Sequence, residues 1–116
     1  MKNLALCSAL VACFAAAPVM AATTSEAQVY AAVQNKEWTK AEALLREGLK
    51  QTPSDAQQLL NLAYVLQSAG RKGEASEIYG KVLAMDSNPI VTMDSDEKLK
   101  AKILAKRRMT AMAAQP

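Results

Sequence analysis

Residues Ala56 to Pro89, AQQLLNLAYVLQSAGRKGEASEIYGKVLAMDSNP, decide the fold. In the first half, Leu59, Leu62, Ala63 and Leu66 recur at steps of three and four, which places them on one stripe of a helix. Gly70 then stops the helix, because glycine takes the left-handed C-cap conformation without steric penalty. A second helix follows with Ala75, Ile78, Tyr79, Val82 and Leu83 on its apolar face, until Ser87, Asn88 and Pro89 break the pattern. Two amphipathic helices joined by a short glycine-containing turn predict an αα-hairpin. Neither stripe is hidden by its own helix, so each must pack on the other and on a neighbour.

These residues resemble the tetratricopeptide repeat (TPR) family, a helix–turn–helix unit of 34 residues. Leu59, Leu62, Ala63, Gly70, Ala75, Tyr79 and Val82 fall where that unit carries its small and large apolar residues, and Asn61 and Asp86 match common choices. Ser87 stands where the unit usually has proline, with Pro89 following shortly after. Stepping back one period from Ala56 reaches Ala22, so residues 22–55 and 56–89 read as two repeats. In the first, Trp38, Ala41, Leu45, Gly48 and Pro53 fit the pattern, whereas Gln28 and Ala32 replace a usual leucine and tyrosine. Thr39 with Glu42, and Ser54 with Gln57, have the spacing of capping boxes.

The segment before the repeats reads as an export signal over residues 1–21. Lys2 supplies the charge, Leu4 to Ala17 the apolar region, and Val19-Met20-Ala21 the small-residue cleavage site, with Ala22 as the mature start. The expected destination is a bacterial periplasm. A second reading takes Leu10-Val11-Ala12-Cys13 as a lipoprotein box with a lipid on Cys13. Cys7 and Cys13 are the chain's two cysteines, so the mature chain would hold neither disulfide nor thiolate site.

Residues 90–116 differ in composition. Asn88 to Ser95 reads as a loop and about Asp96 to Ala113 as a last helix, with Asp94 or Ser95 as its cap. Lys98, Lys100, Lys102, Lys106, Arg107 and Arg108 concentrate positive charge there, while residues 22–93 hold seven basic and eight acidic groups. The whole chain carries 14 basic and 11 acidic residues, a net +3 that does not argue for nucleic acid. The expected architecture is therefore all-α: two antiparallel helix pairs stacked as in TPR proteins, closed by a basic capping helix. Two repeats are fewer than the three such stacks usually need, so self-association or a partner is expected to add stability.

Histidine is absent, no glycine-rich phosphate loop is present, and the carboxylates sit at helix starts or on solvated faces. No catalytic residue, metal site or cofactor is expected. The TPR resemblance implies instead a non-catalytic scaffold that binds a protein or peptide partner, and that assists assembly of envelope machinery. It places the groove on Tyr30, Val33, Gln57, Leu60, Asn61, Tyr64 and Gln67. The family's carboxylate clamp is not reproduced, since its lysines and second asparagine are missing. Two alternatives stay open for the tyrosines: a free groove, or one covered by the last helix or by another copy. For Lys98, Lys102, Lys106, Arg107 and Arg108 the readings are a solubilising cap, an acidic partner protein, or a membrane surface.

Overall fold

The computed structural model describes residues 21–93 and 96–115. The export segment expected over residues 1–21 lies outside them, with Cys7 and Cys13, except for Ala21, the first residue of α1. Five helices and a two-stranded sheet follow in the order α1 (Ala21–Gln34), α2 (Trp38–Gln51), α3 (Ala56–Ser68), α4 (Lys72–Leu83), β1 (Ile90–Thr92), β2 (Lys98–Lys100) and α5 (Ala101–Ala113). Each helix packs on the next, and α3 also touches α5 and β1. The chain is thus mostly helical, in line with the all-α expectation, with one small sheet that the expectation lacked.

Helix α3 is the centre of this packing. Ala56, Leu59, Leu60, Leu62, Ala63, Val65 and Leu66 are all buried, a wider band than one stripe. The reason is that α3 has neighbours on several sides, and a helix surrounded in this way buries apolar residues almost all round. From α4 come Ala75, Ile78, Tyr79 and Val82, from α2 Ala41 and Leu45, and from α1 Val29 and Ala32. Helix α5 contributes Ala101, Leu104, Ala105 and Met112.

The two helix turns are built alike. After α1, the N–H groups of Asn35, Lys36 and Glu37 donate to the carbonyls of Ala31, Val33 and Ala32 at 3.0, 3.0 and 2.8 Å. After α3, Ala69, Gly70 and Arg71 donate to Val65, Gln67 and Leu66 at 2.9, 3.1 and 2.8 Å. The second set repeats the first 34 residues on (Asn35 to Ala69, Lys36 to Gly70, Glu37 to Arg71). Both turns need a left-handed residue, with φ of 58° at Lys36 and 83° at Gly70. Glycine adopts that conformation freely and lysine does so under strain.

This geometry corrects the expected caps. Helix α2 starts at Trp38 directly off its turn, and no side chain caps it. Thr39 therefore lies inside the helix, and Glu42 turns to Arg46 and Arg71 instead, at 2.8 and 2.6 Å. At α3 the cap is Asp55 and not Ser54. The Asp55 carboxylate accepts from the N–H groups of Gln57 (3.0 Å) and Gln58 (3.2 Å), placing negative charge at the positive end of the helix.

The expected loop and early start of the last helix are also corrected. Ile90 pairs with Lys100, Val91 with Leu99 and Thr92 with Lys98 in an antiparallel ladder. Ile90-Val91-Thr92 is a β-branched run and Lys98-Leu99-Lys100 alternates, both of which suit a strand. Val91 is buried and Leu99 half-buried, while their neighbours along each strand face out. The connection closes with Met93 N–H on the Glu97 carbonyl (2.9 Å), Asp96 N–H on the Met93 carbonyl (3.0 Å), and Asp96 at φ 59°. Aspartate tolerates the left-handed conformation better than most side chains do. Helix α5 consequently begins at Ala101, not Asp96. Its own first residues offer no side-chain cap, and Asn88 supplies one from a distance by accepting from Lys102 N–H at 3.0 Å.

Candidate functional site

The seven groove candidates do not share one environment. Tyr30 on α1 is 58% exposed and Tyr64 on α3 is 36% exposed, whereas Leu60 is wholly buried. Leu60 therefore belongs to the core and not to an open groove, because α5 and the hairpin lie against this part of α3. Val33, Gln57, Asn61 and Gln67 are half-buried.

Three of these polar candidates are already engaged. The Gln57 amide exchanges two hydrogen bonds with β1, accepting from Thr92 N–H at 2.8 Å and donating to the Thr92 carbonyl at 3.2 Å. It also donates to Asn61 Oδ1 at 3.4 Å. Gln67 Oε1 accepts from the Tyr79 hydroxyl at 2.9 Å. Burial pushes the Tyr79 hydroxyl above its ordinary pKa, with the charge and hydrogen bonding of Arg108 opposing the shift.

Arg108 links α5 to this face. Its guanidinium lies 5.2 Å from the centroid of the Tyr64 ring, and its Nη1 donates to the Leu60 carbonyl at 3.2 Å. The Trp38 ring also meets Tyr64, nearly perpendicular to it with the ring centroids 6.5 Å apart. Tyr64 thus contacts both a cation from α5 and an indole from α2. The basic set expected from sequence consequently splits. Lys98, Lys106 and Arg107 are exposed and Lys102 is half-buried, but Arg108 turns inward. A signal for this was present. Ala101, Leu104, Ala105, Arg108 and Met112 fall at steps of three and four, so Arg108 occupies a place on the buried stripe of its helix.

Away from the groove, Glu42, Arg46, Arg71 and Glu74 form a network between α2 and α4, with contacts of 2.6 to 3.6 Å. Burial pushes the Glu42 carboxyl up, but hydrogen bonds and charge from Arg46 and Arg71 outweigh it and hold the group below the ordinary carboxylate range. Glu74 is lowered chiefly by its hydrogen bonds from Arg71. Among the described residues, no polar or charged residue is buried and no group of acidic side chains is placed to hold a metal ion. What the face offers chemically is aromatic surface and amide or guanidinium hydrogen bonding. Comparison of the chain with protein families, with curated proteins and with solved structures found no match.

Proposed function

We propose that the chain is a non-catalytic interaction protein of the TPR type, with two repeats over residues 22–55 and 56–89. In this reading α5 is the first helix of an incomplete third repeat. Two recurrences support it. The turn hydrogen bonds repeat with a 34-residue period. In addition, the spacing Leu59, Leu62, Ala63 on α3 returns as Ala101, Leu104, Ala105 on α5, with the same three places buried in both helices. The second recurrence exceeds one period by eight residues (Leu62 to Leu104), and the hairpin accounts for the extra length. Export to the periplasm and scaffolding of an envelope assembly belong to the same proposal and rest on residues 1–21 and the resemblance.

The observation that carries the binding reading is the contrast among the three tyrosines. Tyr79 is wholly buried, while Tyr30 and Tyr64, one period apart on α1 and α3, stay exposed. Exposed aromatic rings are the side chains most often used as anchors for protein partners. The partner is a peptide or protein segment that crosses Tyr30 and the free edge of Tyr64, with Val33 and Asn61 beside them. Leu60 and the inner part of the face are not available to it.

The test is affinity capture with the protein beside a Tyr30→Ala/Tyr64→Ala variant whose helicity matches the parent. A partner held by the parent and lost by the folded variant is the expected result. Equal retention by both would remove the tyrosines from the site.

A further inference from the structure

Among the described residues, ion pairing covers part of the cations before the hairpin and none of those on the hairpin or α5; Lys36, Lys72 and Lys81 are the earlier ones without a pair. Lys40, Arg46, Lys50 and Arg71, on α2 and at the start of α4, are each ion-paired within 4 Å. Lys98, Lys100, Lys106 and Arg107, on the hairpin and α5, have no such carboxylate among the described residues. All four are exposed.

Apolar surface lies among them. Ile103, Lys106, Arg107, Thr110, Ala111 and Ala114 line one shallow depression along the outer side of α5, and Ile103 is 49% exposed. On the hairpin that runs into this helix, Ile90 is 68% exposed and stands opposite Lys100, on the same outward face. A cap built only for solubility would mix both signs of charge and keep isoleucine inside. Here α5 itself carries one sign, with Asp96 and Glu97 confined to the hairpin connection, and two isoleucines are left out.

We propose that this outer face of the hairpin and α5 rests on an anionic lipid surface, with Lys98, Lys100, Lys106 and Arg107 on the headgroups and Ile90 and Ile103 entering the interface. Lipid suits the residue types better than an acidic protein does. Lysine is depleted in protein–protein interfaces, whose fixed geometry favours arginine. Mobile headgroups instead reward each nearby cation almost independently of its exact position. No helix among the described residues is long and apolar enough to cross a membrane. The surface is separate from Tyr30 and Tyr64, so the proposal stands or falls apart from the groove.

The full chain would be sedimented with vesicles of phosphatidylglycerol in phosphatidylcholine, and with phosphatidylcholine alone. The quantity read is the excess binding to the anionic vesicles, which cancels any contribution of the apolar N-terminal segment that is common to both. Lys106→Gln/Arg107→Gln is expected to lower this excess roughly 30-fold, and raised salt to abolish it. Lys40→Gln/Lys81→Gln removes the same charge elsewhere and is expected to leave the excess unchanged. Equal binding to both vesicles, or an equal loss in the two double variants, would overturn the proposal. So would polyglutamate that binds the chain as tightly as the vesicles do and displaces it from them, since the face would then be a site for acidic polypeptide.

Discussion

Arg108→Ala is expected to destabilise the protein by about 2 kcal/mol. A hydrogen bond from a charged donor contributes ~1.5–3 kcal/mol, and at 3.2 Å the bond to the Leu60 carbonyl belongs at the lower end. The cation over the exposed Tyr64 ring adds ~0.5–1 kcal/mol. In a domain of this size a loss of 2 kcal/mol lowers Tm by roughly 8–16 °C. Part of an alanine effect is lost packing of the arginine stem, so Arg108→Met, which keeps the stem, separates the two. Urea unfolding is the assay, followed by fluorescence of Trp38. That residue is the chain's one tryptophan and lies 6.5 Å from the Tyr64 ring. A double-mutant cycle of Arg108→Met with Tyr64→Leu should return a coupling of ~0.5–1 kcal/mol. A total loss under ~0.5 kcal/mol together with a coupling near zero would mean that the apolar stripe alone holds α5 in place. The reasoning would then be refuted.

Lys36→Gly should stabilise the protein. It relieves ~1–2 kcal/mol of left-handed strain at φ 58° and gives back part of that in unfolded-state freedom. A rise of a few degrees in Tm is expected, and an unchanged or lower value would sink the argument. Glu42→Gln tests the network between α2 and α4 through pH. Because the folded carboxyl is held below its ordinary range, the unfolded chain takes up its proton first as pH falls. The parent's stability advantage over Glu42→Gln is therefore present at neutral pH and lost from about pH 5 downward. An advantage that stays constant from neutral to acid pH, followed by thermal melts, would contradict the assignment.

The helices of the Ala56–Pro89 stretch were legible because their stripes run long enough to fix a period, and Gly70 marks their turn by its own backbone freedom. Their exact starts were not. Thr39 and Ser54 have the chemistry of caps, yet helix entry at Trp38 is set by a left-handed lysine, and at Ala56 by an aspartate one residue further on. The hairpin escaped because three-residue strands are shorter than any period can reveal, and Pro89 and Asp94 read as loop formers. Its local signals were the β-branched run Ile90-Val91-Thr92 and the brief alternation Lys98-Leu99-Lys100. The groove was legible only as residue types. That Leu60 is sealed while Tyr30 is open depends on where α5 comes to lie, which no spacing within α3 encodes. Arg108 was hidden by company: among five other cations it reads as surface, and only its place on the stripe of α5 distinguishes it.

The two hydrogen bonds between Gln57 and Thr92 bear on more than the placing of the hairpin. A short sheet presents two edges, each a row of backbone groups that another chain could join. On the β1 edge, the Gln57 amide meets Thr92 as a neighbouring strand would, with one donor and one acceptor side by side. The β2 edge carries Lys98 and Lys100, whose charges repel an incoming strand of the same sequence. A side chain on one edge and like charge on the other thus keep the sheet at two strands, and the fold gains a β-hairpin without gaining a template for aggregation.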